Sequence, residues 1–261
     1  MASNFYHEDT PSEIKDAKGL HLITTSTPNG KKVQIMLEEL REVYATEFTH
    51  TLISLPTNDQ KKDWFIKLNP NGRIPVLVDN TKSPPFPVME TLAIMLYLLK
   101  QFDPRTPLVS KKNSNDRNVS NGYCSGTEAQ VHNITRQNLA LIFAQGQPIE
   151  GQLNWFGKLA PEKDEFAINR FKKETLRIFG VLEIHLSGKY TSEPRQYLAG
   201  TGQGKYSIAD MGAWPWVSGH DFSGQITEDE MKYFPHLLMW IKRIADRPAV
   251  KKGTAKSYQN W

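Results

Sequence analysis

Between residues 19 and 101 the pattern of apolar and polar side chains changes period in a fixed order, and that order admits few folds. Leu20-His21-Leu22-Ile23 is a short strand-like run. It leads through Thr27-Pro28-Asn29-Gly30 into a stretch where Val33, Met36, Leu37 and Leu40 recur at helical spacing, with Lys31, Glu38, Glu39 and Arg41 on the outer face. Residues 47–55 alternate polar and apolar side chains with Thr and Ile, as a strand does. A short helix carrying Trp64 and Phe65 is expected over 59–68, and a buried strand over 74–78. A turn-rich connection over 79–85 then enters Phe86-Pro87-Val88, and an apolar helix follows over 91–101, with Leu92, Met95, Leu96 and Leu99 toward the core. Strand, helix, strand, short helix, two strands and helix is the thioredoxin topology, an α/β domain on a mixed four-stranded sheet. A reductase of that architecture carries Cys-x-x-Cys at the first strand-to-helix turn. Here the turn offers a hydroxyl and an amide, so thiol chemistry there needs a thiol that arrives with the substrate.

A chain of 261 residues is comfortable for two domains. Residues 1–18 are polar and aperiodic and read as an arm outside the first core; the thioredoxin-like domain spans 19–103. A linker over 104–122, rich in Asn, Ser, Lys and Pro, leads to an all-helical C-terminal domain over 123–261. Its longest piece, 162–186, places Phe166, Arg170, Phe171, Leu176, Phe179, Leu182 and Leu186 near helical periodicity, with Gly188 as a stop. Ser207-Ile208-Ala209-Asp210 reads as a capping box. Phe234-Pro235-His236 opens a last helix to residue 245, with Leu237, Leu238, Trp240, Ile241 and Ile244 on its apolar face, and Arg247-Pro248 ends it.

Several function classes are disfavoured at this level. The formal charge is +4, and Lys and Arg alternate with Asp and Glu, so the basic stripe of a nucleic-acid binder is missing. Cys124 is the single cysteine, which excludes an intrachain disulfide and a thiolate metal site and leaves an inert thiol as the expected role. The seven histidines show no ligand spacing, and no metal is expected. No signal-like N-terminal segment and no apolar run of roughly 18 residues is found, so the expectation is a cytoplasmic protein with no membrane partner.

Three places carry candidate chemistry. A helix starting near Gly30 directs backbone N–H groups and its positive end at the turn, where an anion such as a thiolate is favoured. Asn29 can donate an amide N–H to it and Thr27 a hydroxyl. Taken alone, Thr-Pro-Asn-Gly is equally what an ordinary turn and N-cap are made of. Ile74-Pro75 stands where this topology places a cis peptide bond, which would present the Ile74 N–H and C=O as an edge for a peptide-like ligand; a trans proline at a strand start is the alternative. Glu90-Thr91 opens an apolar helix, where a carboxylate can pair with an ammonium while a hydroxyl and free amides hold a carboxylate.

Together Thr27-Pro28-Asn29-Gly30, Asn69-Pro70-Asn71-Gly72-Arg73-Ile74-Pro75 and Glu90-Thr91 resemble the glutathione transferase superfamily. Within it they are similar to the group holding the bacterial nu class and the fungal transferases related to the yeast nitrogen-regulator prion protein. The motifs Tyr206-Ser207-Ile208-Ala209-Asp210 and Phe234-Pro235-His236 extend the resemblance over nearly all of the chain beyond residue 18. It implies a cytoplasmic detoxification enzyme, a homodimer, with glutathione as co-substrate. Asn29 would hydrogen-bond the glutathione sulfur with Thr27 beside it, as the catalytic pair. Ile74, before Pro75, would pair with the cysteinyl backbone. Glu90 and Thr91 would hold the γ-glutamyl end, and Lys61 and Arg73 would meet the glycyl carboxylate. Family members commonly have serine where Thr91 stands, and the better-known branches have a tyrosine at the thiol-activating turn that this chain lacks. Conjugation of an electrophile therefore stays open beside glutathione-dependent disulfide or peroxide reduction, and beside a non-catalytic binder of glutathione or apolar ligands. Phe143, Trp155, Phe156, Trp214 and Trp216 are each either core or the wall of an apolar acceptor pocket; Trp261 is left unassigned.

Overall fold

The structure, a computed structural model, describes residues 5–102, 137–138, 140–191 and 193–259. The chain divides into two units, Met1–Pro104 with Arg247–Trp261, and Arg105–Asp246. In the first unit a short helix α1 (Ser12–Lys15) precedes β1 (Leu20–Thr24), α2 (Pro28–Tyr44), β2 (Phe48–Leu52), a 3₁₀ turn (Asp59–Lys61), α3 (Asp63–Leu68), β3 (Val76–Asp79), β4 (Phe86–Met89) and α4 (Thr91–Phe102). The sheet order is β2-β1-β3-β4, with β1 parallel to β2 and antiparallel to β3, and β3 antiparallel to β4. This is the expected thioredoxin-like sheet. Every residue of β1 and β3 is buried, which is why both read as continuous apolar runs: central strands covered on both faces need no alternation.

One of the polar residues in β1 has a specific place. His21 of β1 is buried and hydrogen-bonded through Nδ1 to Thr49 Oγ1 (2.7 Å) and through Nε2 to Thr51 Oγ1 (3.1 Å). Burial, with the nearby His50 as the smaller cause, pulls its pKa down from 6.5 to about 4. The unfolded chain therefore takes up a proton that the folded chain refuses, so stability falls as pH drops from 6.5 toward 4. A shift of this size is on the order of 3 kcal/mol. His21→Gln, which cannot charge, is expected to lose about 2 kcal/mol less than the wild type between pH 7 and pH 4.5 in urea unfolding. Parallel pH profiles would remove His21 as the cause.

Three expectations about the first unit are corrected, the smallest being that Leu96, expected toward the core, is 49% exposed while Ile94 and Leu98 are buried. Within the expected arm over 1–18, the described residues 5–18 do not stand outside the core. Ile14 is fully buried among Ile23, Ile53, Trp64, Phe65, Leu68, Val76 and Val78, and the Tyr6 hydroxyl donates to Asn80 Oδ1 at 2.8 Å. One apolar residue in a polar segment produces no periodicity, so nothing local announces this contact. Nor does α2 have a solvated charged face. Lys31 is half-buried and Arg41 exposed, but Glu38 and Glu39 are only 4% and 3% exposed, and Lys32 is fully buried.

The cover over α2 comes from the far end of the chain. Beyond Arg247 the chain starts a further helix, Pro248–Gly253, followed by a 3₁₀ turn, Lys256–Tyr258. Arg247 grips Glu39 with two N–H donors at 2.8 and 3.0 Å, and the Tyr258 hydroxyl donates to Glu38 Oε1 at 2.8 Å. Arg41 Nη1 donates to both Glu38 oxygens. Buried carboxylates persist because each is paired. Residues 247–261 thus group with the thioredoxin-like unit and not with the helical one, and Pro248 opens a helix as well as closing the previous one.

The second unit is helical throughout its described regular elements. It holds α5 (Gln147–Asn154) between π-helical turns Ile142–Gly146 and Trp155–Leu159, then α6 (Glu165–Leu186), α7 (Ile208–Val217), α8 (Glu228–Met231) and α9 (Pro235–Ala245). α6 starts where Asp164 accepts the Ala167 N–H at 3.0 Å. It buries Ile178, Phe179, Leu182 and Leu186 but leaves Phe166 81% exposed, so the apolar stripe begins later than its periodicity suggests. The capping box at Ser207 forms as expected. Asp210, fully buried, accepts from the Ser207 N–H and hydroxyl, the Leu198 N–H and the Trp240 indole N–H. No helix among the described residues is long and apolar enough to cross a membrane. The expected linker over 104–122, Cys124 and Trp261 lie outside the described residues.

Candidate glutathione site

The strand directions decide where the candidate residues meet. Ile23, near the end of β1, pairs with Val76 at the start of β3, and Val76 pairs with Met89 at the end of β4. The turn leaving β1, the loop entering β3 and the turn leaving β4 therefore emerge at one end of the sheet. β2 runs parallel to β1, so the segment that leads to Lys61 leaves from the same end. Ile74 and Pro75 immediately precede β3, and Glu90 and Thr91 immediately follow β4, at the end where Val76 pairs with Met89. Thr27, Asn29, Lys61, Arg73, Ile74, Pro75, Glu90 and Thr91, spread over 65 positions of sequence, lie on segments that leave or enter strands at that end.

At the first turn, Thr27 is the N-cap of α2 and its hydroxyl oxygen accepts the Gly30 N–H at 3.1 Å. A threonine hydroxyl accepts and donates at once, so capping leaves its own O–H to point at a ligand. Pro28 takes the first helical position, where a missing N–H costs nothing. Asn29 follows, half-buried, at the positive end of a 17-residue helix. The turn is held tightly against β1. The Thr27 N–H bonds Thr25 O at 2.8 Å, and the buried Gln34 amide donates to Thr24 Oγ1 (3.1 Å) and Thr25 O (3.3 Å). A Cβ on Gly30 would lie 2.0 Å from Thr25 O, so this approach admits only glycine. A hydroxyl and an amide N–H beside a helix start can favour a thiolate by the roughly 1.4 kcal/mol that one pKa unit requires.

The second and third places are linked to each other. The Ile74–Pro75 peptide is cis, and the Ile74 side chain packs on the first unit's core. Thr91 is buried at the first position of α4, and the exposed Glu90 before it holds a left-handed backbone (φ 67°), uncommon for a residue with a side chain. Asn71 donates a side-chain N–H to Glu90 Oε1 at 2.8 Å. Lys61 Nζ donates to Gly72 O at 2.9 Å, which puts it on the carbonyl next to Arg73. Gly72 itself sits at φ 61° with Lys61 Nζ 2.9 Å from where a Cβ would be.

Sequence reasoning assigned no role to Asn69, Asn71 or Gln34. Asn69 is fully buried; it donates to Arg73 O (2.6 Å) and accepts the Asn71 N–H (3.0 Å). The Asn-x-Asn-Gly spacing is a side-chain-to-backbone turn signal that could have suggested the first of these. Of the proposed acceptor wall, Trp214 is core, buried with its indole N–H on Ile241 O at 2.9 Å. Phe156 stacks on Phe171 with ring centres 5.8 Å apart, Phe143 is half-buried, and Trp155 is half exposed.

Residues 27–101 match the family model described as glutathione S-transferase, N-terminal domain. Glutathione S-transferase 2 of Schizosaccharomyces pombe is 31% identical over 86% of this chain and 89% of its own length. The chain belongs to the glutathione transferase family. A further relative, the disulfide-bond oxidoreductase YghU of Escherichia coli, is 34% identical over 90% of this chain and 73% of its own. Among solved structures, the glutathione transferase URE2P6 from Phanerochaete chrysosporium, in complex with oxidized glutathione, is similar with a TM-score of 0.72 and 30% identity. It covers 92% of this chain and 96% of that one. Within a family of transferases and oxidoreductases, the site at the end of this sheet carries no cysteine in its turn.

Proposed function

We propose that this protein is a glutathione transferase that binds glutathione across the end of the sheet and activates its thiol at the Thr27–Asn29 turn. The observation that carries the reading is the convergence of that turn with Ile74–Pro75 and Glu90–Thr91 at one sheet end. Glu90 would take the γ-glutamyl ammonium and Thr91 its carboxylate. Ile74 would pair with the cysteinyl backbone, leaving the sulfur toward Asn29 and Thr27, and Lys61 and Arg73 would face the glycyl carboxylate. The ionised sulfur then attacks an electrophilic carbon and displaces its leaving group.

Disulfide reduction is a second reading, supported by a relative named as a disulfide-bond oxidoreductase and a similar structure holding oxidized glutathione. In that reaction two glutathiones are oxidised to their disulfide while the substrate disulfide is reduced to two thiols, and the protein supplies no cysteine of its own. Turnover with glutathione is expected for an aromatic halide, for hydroxyethyl disulfide, or for both, and Cys124→Ser is expected to retain it. Tight glutathione binding by calorimetry with neither turnover would overturn the enzymatic reading in favour of a binding protein. A cytoplasmic homodimer with a detoxifying role belongs to the same proposal. The exposed Phe86, Met89 and Leu96 on the contacting elements β4 and α4 support the dimer as apolar surface available for burial.

A further inference from the structure

Glu90 has an orientation problem that its own backbone does not solve. Its left-handed φ aims the residue, but an exposed glutamate side chain turns freely unless something holds the carboxylate. Asn71 supplies the hold, with an N–H on Oε1 at 2.8 Å. Asn71 is in turn fixed by a loop with little freedom. Its backbone N–H is on the buried Asn69 Oδ1, the Gly72 N–H is on Asn69 O at 2.9 Å, and Asn69 Nδ2 is on Arg73 O. Lys61 closes the loop through Gly72 O.

We infer that Asn71 is a positioning residue that makes the site selective for the γ-glutamyl end of its thiol ligand, by holding the Glu90 carboxylate for the ligand ammonium. The inference rests on the glutathione reading above. A carboxamide suits this task because it carries no charge. A lysine or arginine at the same place would orient Glu90 but neutralise the charge that attracts the ammonium, whereas Asn71 uses lone pairs of Oε1 and leaves Oε2 for the ligand. Selectivity for glutathione over a thiol lacking the γ-glutamyl group then depends on both residues, and the two act as one unit.

The test is a double-mutant cycle read by titration calorimetry with glutathione and with cysteinylglycine, which lacks the γ-glutamyl group. Asn71→Ala is expected to weaken glutathione binding about tenfold and to leave cysteinylglycine binding unchanged. In a Glu90→Gln background, Asn71→Ala is expected to add little, because the carboxylate it positions is gone. Asn71 is exposed, and urea midpoints of the variants are expected to match their parents. Equal weakening of both thiols, or full additivity of the two substitutions, overturns the inference and leaves the glutathione reading intact. A wild type that binds the two thiols equally overturns the glutathione reading, and the inference with it.

Discussion

Replacing Asn29 with alanine is expected to lower kcat/KM toward an aromatic halide ten- to a hundredfold, an energy of about 1.4–2.7 kcal/mol. The thiol pKa of bound glutathione is expected to rise by about one unit at the same time. The two effects share a cause. The Asn29 amide follows the N-cap of α2, where a negative sulfur is favoured by the helix start and by each N–H that reaches it. Removing one donor leaves the thiol neutral over more of the pH range, so the rising limb of the pH–rate profile moves to higher pH. Thr27 is a poorer probe of the same idea, because its oxygen also caps α2 through the Gly30 N–H and a loss there would cost about 1 kcal/mol of stability. An unchanged pH–rate profile in Asn29→Ala would remove the assigned role.

Asp210→Ala is expected to cost the fold about 3–5 kcal/mol, measured as the shift of the urea unfolding transition followed by tryptophan emission. The carboxylate is wholly buried and satisfies the Ser207 and Leu198 N–H groups and the Trp240 indole. Alanine leaves all three donors without their acceptor in a dry site. Burial pushes the Asp210 carboxyl up from 3.8 to about 6, against the hydrogen bonds from Trp240, Leu198 and Ser207. The folded state therefore holds this proton more tightly than the unfolded one, and its contribution declines as pH rises from 3.8 through 6. The cost of the substitution is accordingly expected to be largest near pH 4 and smaller above pH 6. This slope is opposite in sign to that of His21, whose contribution grows with pH over an overlapping range. A cost under about 1 kcal/mol at every pH would show that the network does not depend on the carboxylate.

The parts of the fold legible in the sequence are those with local causes. β1 and β3 are apolar because they are central, and Thr27-Pro28 starts α2 because one side chain caps and the next fixes φ. Ser207 and Asp210 form a box within four residues. What was not legible has partners far away in sequence. Glu38 and Glu39 look like solvated charges at helical spacing, and their burial is set by Tyr258 and Arg247, 220 and 208 positions on. Ile14 is a lone apolar residue whose contacts lie in β1, α3 and β3.

The candidate site divides the same way. Residue types and spacing pointed to the sheet topology and to the family resemblance, and that resemblance in turn implied the eight residues proposed around glutathione. An N-cap turn, an Ile-Pro pair and a Glu-Thr helix start are each short-range patterns, and their joint occurrence in one order is specific. Only the tertiary structure decided how those residues are held. Gln34 braces the turn that presents Asn29, and Asn71 reaches across 19 positions to Glu90. A hydrogen bond between two loops depends on where the strands beneath them end, and no local pattern encodes that distance.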